Sequence, residues 1–457
     1  MPEMETESIE KIVYLWIEQT KELGEKYKWI QVFEMNFNDE QVIDKFHKMY
    51  GDDKQILKER KDRYQKLEDK FLQYFDDADK YYFSAPGRTE IGGNHTDHNH
   101  GMVVAASVNL DSIAVVTKNQ NQKVVLYSDG YFSPFEIDIN QLEIDEKEKG
   151  TTTALIRGIA KRFKEFGFNI GGFSGCMTSD VLPGSGLSSS ASVEVLIGTI
   201  FNYLFNDGKV PAEMIAQIGQ YAENNYFGKP CGLMDQMACA VGGIISIDFE
   251  NNTKPIVEKV DVDFDNLGYS LVIVDTGGNH ADLTDDYAAV PTEMKSVANF
   301  FGKSVLREID ESDLLENIAE LRSEVGDRAV LRALHFFEEN KRVLQIVNAL
   351  SELDLDRFLK LIKESGNSSF KWLQNIFTIK NIPEQGVTLG LAITEQYLSE
   401  IDTGACRVHG GGFAGTIQVF IPSEFVPRYI EIIEKVFGRG SAMKLSVRSK
   451  GAILVGC

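Results

Sequence analysis

The sequence predicts a mixed α/β (α+β) fold in which a helical N-terminal segment precedes two α/β units. The first 80 residues contain almost no glycine, and apolar residues such as Ile9, Ile12 and Trp16 recur at helical spacing. From Tyr81 onward the pattern changes to short apolar runs separated by turn residues, which is typical of strands. Further strand-like runs follow a long helical stretch, so a second α/β unit is expected.

The predicted elements follow one another along the chain. The runs "YYFSAPGR", "MVVAASV", "SIAVVTK" and "KVVLYS" predict strands. The stretch "SSSASVEVLIGTIFNYLF" predicts a helix, because Val193, Leu196 and Ile200 lie on one helical face. After the buried-strand pattern "YSLVIVDTG", residues 285–365 are mostly helical in pattern, and "GAILVGC" is expected to be the final strand of the second unit.

Composition limits the classes of partner. The chain has 457 residues, 43% of them hydrophobic, so it can bury several cores. Its 47 basic and 69 acidic residues give a net charge of -22, which disfavours nucleic acid and anionic membranes as partners. A small phosphorylated ligand is still compatible with this charge, because backbone N–H groups and a few cations act at short range.

Cysteine usage and the N-terminus predict a soluble, cytoplasmic protein. The five cysteines are odd in number and show no CxxC spacing, which indicates neither a disulfide framework nor a zinc ribbon. The chain begins with the acidic stretch MPEMETESIEKIVYLW rather than a basic leader, and no run approaches about 18 consecutive apolar residues.

The polar stretch GRTEIGGNHTDHNHG, residues 87–101, is the first candidate site. It is compatible with a metal site, a phosphate loop, a sugar-binding loop or a plain polar turn. His95, His98 and His100 are too close together to share a helix face, and no HExxH or cysteine partner accompanies them, which disfavours zinc. No GxxxxGK[ST] pattern occurs either. Taken alone, this stretch does not decide between a turn and a ligand loop.

Three later segments add candidate sites. PGSGLSSSAS, residues 183–192, is a glycine turn that opens a helix and suits a polyphosphate; simple helix capping by its serines is the less favoured alternative. AENNYFGKPCGLMDQ contains Glu223 and Asp235, either exposed caps or a base and a metal ligand; the apolar residues after Asp235 favour a functional carboxylate. GACRVHGGGFAG, residues 404–415, is a tight turn or a ligand loop.

These four motifs, in this order, resemble the GHMP kinase superfamily and within it the galactokinase family. The family pattern reads GRVNLIGEHTDYNGG, PxGxGLSSSAS, AENxFxGxxCGxMDQ and GARxTGGGFGG, and the resemblance extends over residues 81–457. It implies an N-terminal α/β domain over residues 81–265 and a C-terminal ferredoxin-like domain over residues 266–457. Residues 1–80 then form a helical extension, and ATP and a sugar bind in the cleft between the domains.

The resemblance also implies roles for individual residues. Arg88 and Asp235 match the catalytic pair, and Ser190 and Glu223 match the ligands of a magnesium ion. The matches to sugar-binding residues are Glu90, Asn94, His95, Asp97, Gly232 and Tyr287 of VDTGGNHADLTDDY. The matches to ATP-binding residues are Pro183, Gly184, Ser185, Gly186, Leu187, Ser188, Ser189, Gly411 and Gly412. Arg88 is expected to lower the pKa of Asp235 and keep it ionised as the acceptor of the sugar hydroxyl proton.

Several positions depart from the family pattern. Asn94 replaces a glutamate and Glu90 an asparagine; the others are Gly92, His98, His100 and His409. The expected activity is ATP-dependent phosphorylation of a hexose at C1, with galactose as the default substrate. Because an uncharged Asn94 would tolerate a C6 carboxylate, galacturonate, an amino sugar or another C6-altered sugar is the alternative. A sugar and ATP sensor without activity is a further alternative, disfavoured because every catalytic residue is present. The oligomeric state, monomer or dimer, is left open.

Overall fold

A computed structural model describes residues 39–75, 79–181, 184, 186–278 and 283–457 of this chain. The predicted helical pattern around Ile9 and Trp16 therefore lies outside the described residues. The described residues of the predicted extension form two helices, α1 (Glu40–Tyr50) and α2 (Lys54–Tyr74). Each helix begins after an aspartate, Asp39 or Asp53, whose carboxylate accepts backbone N–H groups of the first turn.

Among the described residues, eight strands form the first sheet, in the order β12-β1-β2-β5-β3-β4, with β6 and β7 branching from β2. The strands are β1 (Tyr81–Gly92), β2 (Met102–Lys118), β3 (Lys123–Ser128), β4 (Phe135–Asp138), β5 (Phe173–Ser179), β6 (Ile244–Asp248), β7 (Ile256–Val260) and β12 (Ile453–Gly456). Strand β2 is long enough to pair with β6 at its start and with β5 at its end. The sheet therefore branches along β2, whose two ends have different neighbouring strands.

Helices cover both faces of this sheet. One face packs against α3 (Thr152–Glu165), α4 (Ser189–Asn206), α5 (Ala212–Ala222) and α6 (Met234–Val241). Helices α1 and α2 cover part of the other face, where Phe46, Tyr64 and Phe71 pack against the strands. A buried carboxylate, Asp111 on β2, joins these layers, because it binds Tyr50 of α1 and Arg63 of α2. Helices α1 and α2 are thus part of the core.

The second sheet has four antiparallel strands among the described residues, in the order β11-β8-β10-β9. They are β8 (Tyr269–Asp275), β9 (Ala405–Val408), β10 (Thr416–Pro422) and β11 (Ala442–Leu445). This strand order and the helix between β10 and β11 are those of a ferredoxin-like unit. The helices are α7 (Thr284–Phe300), α8 (Glu311–Glu316), α9 (Ile318–Glu324), α10 (Asp327–Ser351), α11 (Leu355–Ser368), α12 (Gly386–Glu400) and α13 (Val426–Phe437).

The two sheets share one core. Val104 and Ala106 of β2 pack in the same buried cluster as Ile346 of α10 and Phe420 of β10. The loop after β1 and the loop between β9 and β10 meet at this junction, where Asn94 bonds Gly410 and His95 bonds Gly411. No helix in the described part of the chain is long and apolar enough to cross a membrane.

The predicted fold class is confirmed, with one correction. "GAILVGC" forms a strand, β12, but it belongs to the first sheet, where Phe83 pairs with Leu454 and Ser84 with Ile453. Its local pattern predicts a strand without specifying which strand it pairs with. The buried side chain of Val455, packed under α1 and α2, favours the first sheet. The domain boundaries after residues 80 and 265 stay a prediction.

Candidate active site

A bidentate ion pair lies at the centre of the site. Arg88 of β1 donates from Nε to Asp235 Oδ1 at 2.7 Å and from Nη2 to Asp235 Oδ2 at 2.9 Å. Burial alone would raise the pKa of Asp235, but the adjacent Arg88 guanidinium outweighs it and holds this pKa below its ordinary value. Asp235 is therefore ionised at neutral pH. Its side chain is still 33% exposed, so it is accessible to a ligand.

The glycine turn before α4 meets this pair. Arg88 donates from its backbone N–H to Leu187 O at 3.0 Å and from Nη1 to Gly186 O. Ser188 occupies the N-cap position of α4 in a left-handed conformation, with φ of 60°, which is strained for a serine. Its hydroxyl donates to Asp235 rather than capping the helix. The helix N-terminus and the carboxylate are thus neighbours.

The remaining residues predicted to bind phosphate lie in or next to this turn. Gly184 and Gly186 both have positive φ, 80° and 74°, as a tight turn requires. Ser189 begins α4. Pro183 and Ser185 lie outside the described residues. The start of α4 offers backbone N–H groups and the positive end of a helix dipole, an arrangement that suits a phosphate.

Ser190 and Glu223, the predicted metal ligands, are in contact. Ser190 Oγ donates to Glu223 Oε1 at 3.0 Å, and Glu223 begins a π-helical turn, a feature common at functional sites. Gln236 donates to the other Glu223 oxygen at 2.9 Å, and Lys229 Nζ lies 3.1 Å from Oε1. A hydroxyl and a carboxylate oxygen are the hard donors that Mg²⁺ prefers, so the pair fits this ion.

This pair cannot hold a metal ion alone. Within the described ranges, no group of three or more histidine, cysteine, aspartate or glutamate side chains is arranged to hold a metal. A Mg²⁺ ion at Ser190 and Glu223 would need further oxygen ligands from a bound phosphate or water. Lys229 neutralises the same carboxylate oxygen and would have to give way to the ion.

Several predicted sugar-binding residues converge beside Asp235. Gly232 lies three positions before Asp235, and a Cβ placed on it would come within 1.8 Å of Asp97 Oδ2. Only glycine fits this contact. His95 Nε2 donates to Gly411 O at 3.0 Å, and burial together with the neighbouring His98 lowers the pKa of His95 to about 3. His95 is therefore a neutral imidazole at physiological pH.

Tyr287 and the late glycine loop complete this side of the site. The Tyr287 hydroxyl donates to Gly412 O at 2.8 Å, and its ring lies 2.5 Å from where a Cβ on Gly411 would stand. Burial raises the pKa of Tyr287 to about 12, so the hydroxyl stays protonated. Gly411 and Gly412, predicted to bind ATP, are thus joined to the predicted sugar residues His95 and Tyr287. Their role toward ATP stays a prediction.

Glu90 and Asn94 are placed differently from the other predicted sugar contacts. Asn94 is fully buried and donates to Glu90 Oε1 at 2.9 Å and to Gly410 O at 2.7 Å. Asn375 donates to Asn94 Oδ1 at 2.7 Å, and Arg407 Nη2 lies 2.8 Å from Glu90 Oε1. Both side chains therefore join the segment around residues 90–94 to residues 407–410 inside the protein. This packing does not support the predicted direct contact with a sugar.

The structure adds contacts that the motifs do not reveal. Arg407, fully buried, holds Glu90, and His409 bonds Thr89 and Thr416 at 3.0 Å each. Three side chains of α10 also bind the loop that follows β1. Apart from the bond between His409 and Thr416, these contacts join positions more than 200 residues apart, so no local signal in the sequence marks them.

Comparison with known proteins agrees with this arrangement. The GHMP kinases N terminal domain matches residues 154–243, and the galactokinase galactose-binding signature matches residues 69–118. A galactokinase of Glaesserella parasuis is 31% identical over 392 residues, which cover 82% of this chain and 94% of that protein. A galactokinase of Lacticaseibacillus casei is 29% identical over 374 residues, covering 80% and 92%.

Solved structures give the same result. The crystal structure of Lactococcus lactis galactokinase complexed with galactose superposes with a TM-score of 0.72 at 25% identity, covering 84% of this chain and 98% of that one. The mevalonate kinase of Methanococcus jannaschii, at 15% identity and a TM-score of 0.56, shares the fold. The ordered motifs and the Arg88–Asp235 pair agree with these relatives. The chain therefore belongs to the galactokinase family of the GHMP kinases.

Proposed function

We propose that this enzyme transfers the γ-phosphoryl group of ATP to the anomeric C1 hydroxyl of galactose, giving galactose 1-phosphate and ADP. The observation that carries the proposal is the position of Asp235. This ionised and accessible carboxylate touches Ser188 at the start of α4, and the turn that precedes it touches Asp97 of the predicted sugar loop. The relatives named galactokinase and the galactose in the Lactococcus lactis structure support the choice of sugar.

In the proposed reaction the C1 oxygen forms a bond to the γ-phosphorus while the bond to the bridging oxygen of ADP breaks. Asp235 accepts the hydroxyl proton as the nucleophile forms. Arg88 keeps Asp235 ionised and places positive charge close to the transferring group. The start of α4 orients phosphate oxygens by its backbone N–H groups. Ser190 and Glu223 would hold Mg²⁺, which supplies charge neutralisation to the phosphates when bound.

Galactose is favoured over a C6-altered sugar by the environment of Asn94. The alternative depends on a side chain that faces the substrate, whereas Asn94 is buried and both its donor and acceptor atoms are engaged within the protein. A sensor without activity is disfavoured because Arg88, Asp235 and Ser188 are assembled into one cluster. All five cysteines are free thiols, which supports a cytoplasmic location.

Measuring ADP release with galactose, galacturonate, galactosamine and 6-deoxygalactose tests the proposal. We expect the highest kcat/KM with galactose and loss of turnover in excess EDTA. ADP release that no sugar accelerates would refute a sugar kinase. A higher kcat/KM with galacturonate or galactosamine would refute galactose as the substrate while keeping the reaction.

A further inference from the structure

Helix α10 lies against the loop that joins β1 to β2, which is the predicted sugar loop (residues 93–101). Three of its side chains bind the backbone at the two ends of this loop. His335 Nε2 donates to Asn94 O at 2.9 Å, and Glu339 Oε1 accepts the Gly93 N–H at 3.2 Å. Asn340 Oδ1 accepts the N–H of Met102, the first residue of β2, at 2.6 Å. One helix of the second unit therefore fixes both ends of a loop of the first.

Two of these side chains, His335 and Glu339, are themselves held in place. Ser368 of α11 lies 2.8 Å from His335 Nδ1, so the ring accepts from Ser368 and donates to the loop carbonyl. Burial lowers the pKa of His335, which keeps this neutral form. Glu339 also accepts from Ser365 of α11 and pairs with Arg342. The helix presents fixed hydrogen-bonding groups rather than mobile ones.

The contact is close at both ends of the loop. A Cβ on Gly92 would stand 2.9 Å from Ile346 Cδ1, and a Cβ on Gly101 would stand 2.8 Å from Asn340 Oδ1. Both loop ends therefore approach α10 more closely than any larger residue allows. The opposite side of the loop contains His95 and Asp97, which contact Gly411 and Gly232. The backbone rests on α10 while these two side chains point to the site.

We propose that His335, Glu339 and Asn340 are positioning residues that determine sugar affinity by fixing the backbone of the loop from residue 93 to residue 102. They do not touch the reacting groups. The proposal rests on the proposed function for the identity of the sugar, whereas the loop geometry itself does not depend on that identity. Fixing the loop places His95 and Asp97 before the sugar arrives, which lowers the entropic cost of binding.

The test uses Asn340, which is only half-buried, so its replacement leaves the core intact. Asn340→Ala removes the acceptor of the Met102 N–H, Asn340→Asp keeps an acceptor oxygen, and Asn348→Ala is the same change on the exposed face of α10. Hydrogen exchange on the protein without ligands and the KM values for galactose and ATP are measured for each variant.

We expect Asn340→Ala to speed exchange at Met102 and to raise the galactose KM about tenfold with an unchanged ATP KM. Asn340→Asp should restore most of both properties, and Asn348→Ala should resemble the parent. His335→Leu, which removes a different bond to the same loop, should also raise only the galactose KM.

An equal rise in both KM values, or faster exchange at Met102 with an unchanged galactose KM, would overturn the proposal. So would protection of Met102 that persists in Asn340→Ala. Failure of the proposed function gives a different result, because the parent enzyme would then not phosphorylate galactose. In that case the exchange of Met102, together with the KM for the sugar that the parent does use, still decides the role of α10.

Discussion

Asp235 is the residue on which the proposed chemistry depends most. Asp235→Asn removes the proton acceptor with little change in shape. We expect kcat to fall at least about 100-fold while the Kd values for galactose and ATP stay within several-fold of the parent. Steady-state kinetics and titration calorimetry measure the two properties separately.

Asp248→Asn is a suitable control, because Asp248 is also a partly buried aspartate paired with an arginine, Arg307, but lies at the end of β6. Its kcat should be close to that of the parent. Near-normal turnover in Asp235→Asn would remove this carboxylate from the mechanism, and loss of binding without loss of kcat would make it a substrate contact.

At this scale the sequence predicts part of the site. Arg88, Asp235 and Ser188 lie within short motifs, and the resemblance of these motifs to the galactokinase family predicts their roles. Glu90 and Asn94 lie in the same motif as Arg88, yet their side chains are buried against Arg407 and Asn375. The direction of a side chain depends on partners hundreds of positions away, which local spacing does not encode.

Helices α1 and α2 meet the first sheet around the buried Asp111. Burial alone would raise the pKa of Asp111, but Arg63 of α2 and then Arg448 outweigh it and lower this pKa to about 2. The free energy of unfolding therefore includes about 2 kcal/mol from this carboxylate, which is fully present above pH ~5 and lost as the pH falls toward 2.

Asp111→Asn tests this contribution. The variant should unfold at a lower temperature than the parent at pH 7, and the difference between the two should shrink as the pH falls from 4 to 2. Scanning calorimetry across this range gives the comparison, with Asp52→Asn, at a 91% exposed side chain, as control. A difference that stays constant with pH would mean that Asp111 is not ionised in the folded protein.

Helix α10 shows why elements are easier to predict than their contacts. The apolar spacing between residues 285 and 365 predicts helices, and helices are present. Nothing in that spacing indicates that His335 and Asn340 bind the loop after β1. Such contacts arise when two distant segments fold against each other, so the local pattern of either segment does not predict them.

The stability of the whole molecule depends on the position of β12. Val455 is fully buried between the first sheet and the extension helices. Val455→Asp places an unpaired charge in this core, so we expect the free energy of unfolding to fall by at least about 3 kcal/mol. Urea unfolding followed by circular dichroism measures the change.

Cys457→Asp introduces the same charge two positions later, where the side chain is exposed, and should leave the urea midpoint unchanged. Equal midpoints for the two variants would contradict the placement of β12 in the first sheet. The sequence pattern of β12 predicts a strand but does not specify which strand it pairs with, so its assignment to the second sheet was wrong. The contacts between α10 and the loop after β1 were missed for the same reason.

The pairing of β12 with β1 also has a consequence for how the molecule is made. While the chain is being synthesised, β1 is complete long before residues 453–456 leave the ribosome, so Phe83 and Ser84 present an open sheet edge. Such an edge is a template for pairing with other chains, and contacts between distant segments form slowly. We therefore expect the newly made protein to pass through an aggregation-prone stage until β12 pairs with β1, and refolding from denaturant should give higher yields at lower protein concentration.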